Sequence, residues 1–365
     1  MKPDTETALT ALWARDLLIE AGLPPEVFQV VLGEGPVVGP EVVARADYVS
    51  FTGSTRTGRD VAQRAAARLV GVSLELGGKN PMLVLADADV EKAAAGAVRA
   101  CFSSAGQLCI SIERLYVHES VADAFVERFA ARTKAMRLGN SLAYGADMGS
   151  LVGERQLETV SRHVSEAVEK GATLVAGGVA RPDIGPLFYE PTILDHVQEP
   201  MAVCTEETFG PVVSLYRFTD EDEAVALANA TPYGLNASVW TEDSRRGHRI
   251  AARLRAGTVN INEGYASAYV RGVRVRLRQR PVPDGRHEGL RSRPAARLRG
   301  HPQVHRGPDR RPAAADAARP GLRDGRREVR RPHEPQPQGD EGLPAPLTRP
   351  ALFPAPFPVP PAFLP

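Results

Sequence analysis

Apolar residues fall near helical spacing over 7–21, at Leu9, Leu12, Leu17 and Leu18, and the pattern stops at Gly22 ahead of Pro24-Pro25. A short β-rich run, Phe28-Gln29-Val30-Val31-Leu32, follows and closes in Gly33-Glu34-Gly35-Pro36. A helix is predicted over 40–46, a second strand at Tyr48-Val49-Ser50-Phe51, and an Ala- and Arg-rich helix from the end of that strand to about Leu69. This alternation of helix and strand predicts a parallel sheet in an α/β chain. From Met82 the helices lengthen. One is predicted over 90–104, leading into a turn at Cys109, and Arg114-Leu115-Tyr116-Val117 reads as a strand. Helices follow over 121–136, with Val121, Phe125, Phe129 and Ala130 on one face, over 153–170 and over 221–230.

A chain of 365 residues that is 43% hydrophobic can bury a real core in two domains or one large one. The formal net charge of +1 argues against steering toward nucleic acid or an anionic membrane, so neither is expected as a partner. Cys101, Cys109 and Cys204 are too few, and wrongly spaced, for a disulfide framework or a metal site. They fit a reducing, cytoplasmic setting, and no metal is expected. No basic-then-apolar leader opens the chain, and no apolar run approaches the ~20 residues that span a bilayer.

Three stretches carry candidate chemistry. In Ser104-Ala105-Gly106-Gln107-Leu108-Cys109-Ile110-Ser111, small residues approach one cysteine. A lone cysteine in such a run is ordinarily a packed hydrophobe, but as a thiolate it attacks carbonyls once backbone N–H groups or a positive charge lower its pKa. Upstream, Leu74-Glu75-Leu76-Gly77-Gly78-Lys79-Asn80-Pro81 ends a strand-like run in a Gly-Gly turn and offers Glu75 as a general base. The third, Phe51-Thr52-Gly53-Ser54-Thr55-Arg56-Thr57-Gly58, is a glycine turn between strand and helix, which aims N–H groups and the helix dipole at a phosphate.

Together these stretches resemble the aldehyde dehydrogenase superfamily, whose members carry Glu-Leu-Gly-Gly-Lys and, some three dozen residues later, Gly-Gln-x-Cys. The resemblance implies an aldehyde dehydrogenase-like fold: a partial Rossmann-type cofactor domain over 1–76 and an α/β catalytic domain over 77–269. It implies that Cys109 adds to an aldehyde, that the thiohemiacetal passes hydride to a nicotinamide, and that Glu75 activates water to hydrolyse the thioester. Gly53, Ser54 and Gly58 match the family's phosphate loop, and Lys2 matches the lysine that reaches the adenine ribose. In Glu206-Glu207-Thr208-Phe209-Gly210-Pro211, Glu207 matches the ligand of the nicotinamide ribose and Phe209 the residue that flanks the ring. Thr5 stands where a glutamate often binds the ribose 2′-hydroxyl, which leaves both NADP and NAD open. Tyr233-Gly234-Leu235-Asn236-Ala237-Ser238-Val239-Trp240 and Gly257-Thr258-Val259-Asn260-Ile261-Asn262 extend the resemblance to about Tyr269.

Family chains run well over a hundred residues before the lysine motif, including an asparagine that helps hold the oxyanion, so this sequence reads as truncated. Beyond Val270 the composition changes. Residues 271–365 hold 20 Arg and 19 Pro but no Lys, Ile, Asn, Tyr, Met, Cys or Trp, a disordered-tail composition. Back-translated one base later, Gly285-Arg286-His287-Glu288-Gly289-Leu290 can encode Gly-Gly-Met-Lys-Asp-Ser. The same frame continues to Gly-Leu-Gly-Arg-Arg-His-Gly-Ser-Glu-Gly-Ile-Leu-Lys-Tyr-Thr-Glu, which resembles the closing motif of semialdehyde-oxidising members. A reading-frame change near Val270 is therefore expected, and with it loss of the strand that closes the family's homo-oligomer interface. The expected substrate is a small carboxylated aldehyde such as succinate semialdehyde, although Ser103 stands where some such enzymes place a carboxylate-binding arginine. The alternative is an inactive, partly folded remnant of such an enzyme.

Overall fold

The structure is a computed structural model and describes residues 1–141 and 144–264. The expectations for 270–365, and the end of the resemblance at Tyr269, lie outside the described residues.

The chain opens with helices α1 (Ala8–Glu20) and α2 (Gly35–Arg45), then strand β1 (Tyr48–Thr52), helix α3 (Thr55–Ala67) and strand β2 (Gly71–Glu75). The two strands pair in parallel from Tyr48 with Gly71 to Thr52 with Glu75, as the alternation predicted. Two expectations need correction here. The run 28–32 is not a strand: its backbone bonds go to Met1, through Val31 N–H to Met1 O and the Met1 ammonium to Gln29 O. A single facing residue cannot supply a ladder. The helix expected over 40–46 starts at Gly35 and carries Pro40 inside it. The apolar positions of α1 also stay largely uncovered, with Leu9 81% exposed and Ala11 the one buried residue of the helix.

From Asn80 the chain builds a seven-stranded sheet in the order β5-β6-β7-β4-β3-β8-β9. Its strands are β3 (Asn80–Val84), β4 (Ile112–His118), β5 (Thr173–Ala176), β6 (Thr192–Asp195), β7 (Val212–Phe218), β8 (Asn236–Trp240) and β9 (Thr258–Ile261). All neighbours run parallel except the edge pair β5–β6. β3 and β8 are buried at every position, the mark of strands covered on both faces. One face packs on α4 (Val90–Phe102) and α5 (Glu119–Lys134). Ala93, Ala94, Ala97 and Ala100 let α4 come close, and Phe129 stacks on Phe102 at 5.8 Å between centroids and lies tilted against Phe125 at 5.6 Å. The other face packs Leu83, Leu85 and Val239 on α8 (Glu221–Asn229) and α9 (Ser244–Ala251). The remaining helices are α6 (Glu154–Glu169) and the single turn α7 (Ala202–Thr205).

Candidate active site

Between α4 and β4 the chain makes a 3₁₀ turn at Ser103–Gly106. Ser104, Ala105 and Gly106 all take left-handed φ, at 53°, 54° and 69°. Two of the three carry a Cβ, so the reversal stores strain of ~1–2 kcal/mol per residue that the surrounding packing must hold. A Cβ at Gly106 would run into the Gly210 carbonyl, so only glycine lets this loop lie on the chain leading into β7. Gln107 fastens the loop on its other side: its amide donates to Ser104 O and Ser150 O and accepts from Val152 N–H. Cys109 then sits half-buried on a turn closed by Ser111 N–H to Leu108 O at 2.9 Å.

Burial pushes the Cys109 thiol up, the Glu75 carboxylate pushes it further, and Glu207 adds to both. The N–H groups of Cys109 and Ile110 pull the other way. The balance is upward, because burial and two carboxylates outweigh the two N–H groups. Glu75 ends β2 exposed, and its backbone oxygen accepts from Gly53 N–H at 3.0 Å, so the glycine turn after β1 and the candidate base lie side by side at the same end of the β1–β2 pair. Cys101 is a fully buried packed hydrophobe, its thiol pushed far up by burial, and Cys204 is half-buried and also raised.

Glu207 reaches across to the Gly-Gly turn, where Oε1 accepts from Gly78 N–H at 2.8 Å. A Cβ at Gly77 would overlap the Glu207 carboxylate, which explains the first glycine. Burial raises the Glu207 pKa. The next two residues are gripped from both sides. Glu113 accepts from Thr208 N–H at 3.0 Å and Phe209 N–H at 2.9 Å, and Gln156 donates to both of their carbonyls. This grip holds Phe209 at φ 50°. Glu113 is itself paired with Lys79 at 2.6 Å, the two side chains only 4% and 1% exposed. His163 lies behind the loop, Nδ1 bonded to Thr208 Oγ1, and burial lowers its pKa.

The remaining expected contact residues bond within the first 76 residues. Ser54 caps α3, its Oγ accepting from Thr57 N–H at 3.3 Å. Gly58 N–H donates within the helix to Ser54 O, and a Cβ there would meet Leu76, so this glycine seats α3 on the residue after Glu75. The Lys2 ammonium donates to Gly33 O at 3.0 Å and to Pro3 O. Sequence reasoning gave no role to Asn80, Gln107, Glu113, Gln156 or Asn236. Gln107, Asn80 and Asn236 stand inside stretches that were singled out, and Glu113-Arg114 is a charged pair at the start of a strand that continues with three apolar residues.

A profile of the aldehyde dehydrogenase family matches residues 1–273. The chain belongs to that family. It is 54% identical over 269 residues to a Mycobacterium tuberculosis protein named "Putative succinate-semialdehyde dehydrogenase (NADP(+)) 2", covering 74% of this chain and 52% of the relative. It is 38% identical over 270 residues to the succinate semialdehyde dehydrogenase of Acinetobacter baylyi, covering 73% and 56%. Among solved structures, an E. coli NADP dependent enzyme superposes with a TM-score of 0.71 at 40% identity, covering 76% of this chain and 58% of that one. The NAD+ complex of Staphylococcus aureus betaine aldehyde dehydrogenase gives 0.71 at 35%, covering 73% and 54%. The chain spans about half the length of the curated relatives it matches.

The donors present fit the dinucleotide that family membership implies. The N–H groups of Thr55 and Arg56 open α3 without a helical acceptor, the side chains of Arg56 and Arg59 are exposed beside them, and the Glu207 carboxylate lies in a cradle that a Cβ at Gly77 would fill. Among the described residues no helix is long and apolar enough to cross a membrane, and no cluster of ligating side chains could hold a metal.

Proposed function

We propose that this chain oxidises an aldehyde to a carboxylic acid with NADP+ or NAD+, with Cys109 as nucleophile, Glu75 as base and succinate semialdehyde as substrate. The carrying observation is that Glu75, at the end of β2, and Glu207, on the loop before β7, both act electrostatically on the one thiol at the end of the Ser103–Gly106 turn. Two carboxylates near a thiol suit a base more than a thiolate stabiliser. The proton of Cys109 has to leave before attack, and Glu75 is the nearby acceptor. The thiolate adds to the aldehyde carbon and gives a thiohemiacetal. When bound, the dinucleotide supplies the hydride acceptor that takes the oxidation to a thioester. Glu75, having passed the thiol proton to solvent, then takes a proton from water, whose oxygen attacks the thioester carbon; the C–S bond breaks, the acid leaves, and Cys109, freed as thiolate, takes the proton back from Glu75.

Gly53, Ser54, Gly58 and Lys2 fall to the dinucleotide side, with 1–76 as the cofactor part and 77–269 as the catalytic part. Phe209 is read as the flank of the nicotinamide ring and Glu207 as the partner of its ribose. The names of the mycobacterial relatives favour NADP+ and succinate semialdehyde. We read 270–365 as the product of a frame change near Val270, in a protein of the cytoplasm. Genomic codons that give Gly-Gly-Met-Lys-Asp-Ser in no frame would end that part of the reading.

NADPH formation from succinate semialdehyde and from butanal tests the function. The semialdehyde is expected to turn over more efficiently, and Cys109→Ala to abolish both reactions. Equal efficiency would remove the carboxylate preference. No turnover, together with no saturable NADPH binding by fluorescence up to millimolar concentration, would leave the chain a folded remnant.

A further inference from the structure

Three consecutive carbonyls after the candidate nucleophile's own N–H are bound by side-chain amides. Asn80 Nδ2 donates to Cys109 O at 2.8 Å and to Ser111 O at 2.7 Å, and Asn236 Nδ2 donates to Ile110 O at 3.1 Å. The asparagines are joined to one another. Asn80 Oδ1 accepts from Asn236 N–H at 3.0 Å, and Asn236 Oδ1 accepts from Asn260 Nδ2 at 2.8 Å. All three residues are at most 2% exposed, so no water competes for these amides.

The sequence explains how Asn80 is free to do this. Pro81 has no N–H to give a central strand, and the register between β3 and β4 shifts between Asn80 and Pro81. Gly78 makes the room: a Cβ there would stand 2.6 Å from the Cys109 carbonyl oxygen and 2.7 Å from each end of the Asn80 amide. In a trans peptide the C=O of one residue and the N–H of the next point in opposite directions. Pinning Cys109 O on Asn80 therefore turns Ile110 N–H away from Asn80, and it is this N–H, with that of Cys109, that acts on the sulfur.

We propose that Asn80 and Asn236 are positioning residues for the nucleophile, holding three successive carbonyls so that the Ile110 N–H is aimed at the Cys109 sulfur. The proposal rests on Cys109 being the nucleophile. Neither asparagine touches the reacting atoms; both act through the backbone of the turn.

The test is the rate of iodoacetamide alkylation at each cysteine of the full chain, followed by peptide mapping across pH. In the unaltered chain Cys109 should react ahead of Cys204 and Cys101; equal labelling would remove the nucleophile reading and would be seen before any variant is made. Asn80→Ala is expected to move the Cys109 pH midpoint upward and to slow its alkylation at pH 7 about tenfold, the loss of thiolate for one unit of pKa. Asn236→Ala should move it the same way by less. A variant in which fully buried Cys101 also becomes reactive has lost its fold, and the other variant then decides by the same midpoint. A Cys109 midpoint unchanged in a variant that keeps Cys101 protected overturns the proposal.

Discussion

Cys109 carries opposing influences that single substitutions can separate. Its thiol is raised by burial and by the Glu75 charge, and lowered by two N–H groups. Glu75→Gln removes a negative charge without changing shape, so the thiolate becomes easier to form and the alkylation midpoint of Cys109 should fall. A drop of about half a unit gives roughly threefold faster alkylation below the midpoint. The sign distinguishes the two roles of Glu75, because the same variant should hydrolyse the thioester more slowly while its thiol reacts faster with iodoacetamide. An unchanged midpoint would mean that Glu75 does not act on the sulfur in solution. Cys109, Glu75, Glu207 and Phe209 were all legible as residue types in motifs. What the motifs could not convey was the sign of the thiol shift, which depends on burial and on charges contributed from 34 positions upstream and 98 downstream, by the residue numbers of Glu75 and Glu207.

The Gly-Gly turn and the loop before β7 are separate elements joined at one buried pair. Glu113 on β4 neutralises Lys79 and holds the N–H groups of Thr208 and Phe209. Glu113→Ala leaves an unpaired buried ammonium and two unmatched donors, and should cost about 3–5 kcal/mol in urea unfolding. Replacing both partners, as Lys79→Met with Glu113→Leu, should recover the part of that loss due to the unpaired charge, while the two N–H donors stay unmatched. A loss under about 1 kcal/mol for Glu113→Ala would contradict the locking role. Most helices and strands followed from periodicity, since their signals are local: α5 buries Phe125, Phe129 and Ala130 as the pattern required. The strand expected at 28–32 failed because a strand also needs a neighbour, and its apolar run says nothing about one. The Asn80–Asn236 clamp was illegible for a related reason: its partners are backbone atoms up to 156 residues apart, which no spacing rule connects.

At the scale of the whole described molecule, the two-stranded parallel sheet and the mostly parallel seven-stranded sheet are joined by the four residues between Glu75 and Asn80, with the candidate base before this link and the clamp after it. The alternation of helices and strands indicated the parallel sheets. The sheet order, with β3 between β4 and β8, did not follow from it, because order depends on long crossovers rather than on any one strand's composition. The uncovered apolar positions of α1 were equally hidden, since helical spacing predicts an apolar face and not what covers it.

The central claim is that oxidation passes through the Cys109 sulfur. Acid quenching of the chain during turnover of succinate semialdehyde with NADP+, followed by peptide mapping by mass spectrometry, tests it directly. The expected result is a succinyl thioester on the peptide bearing Cys109, accumulating further in Glu75→Gln, where deacylation is slowed, and absent without NADP+. NADPH formed with no acyl group on Cys109 in either chain, or an acyl group on Cys101 or Cys204 instead, would contradict the account.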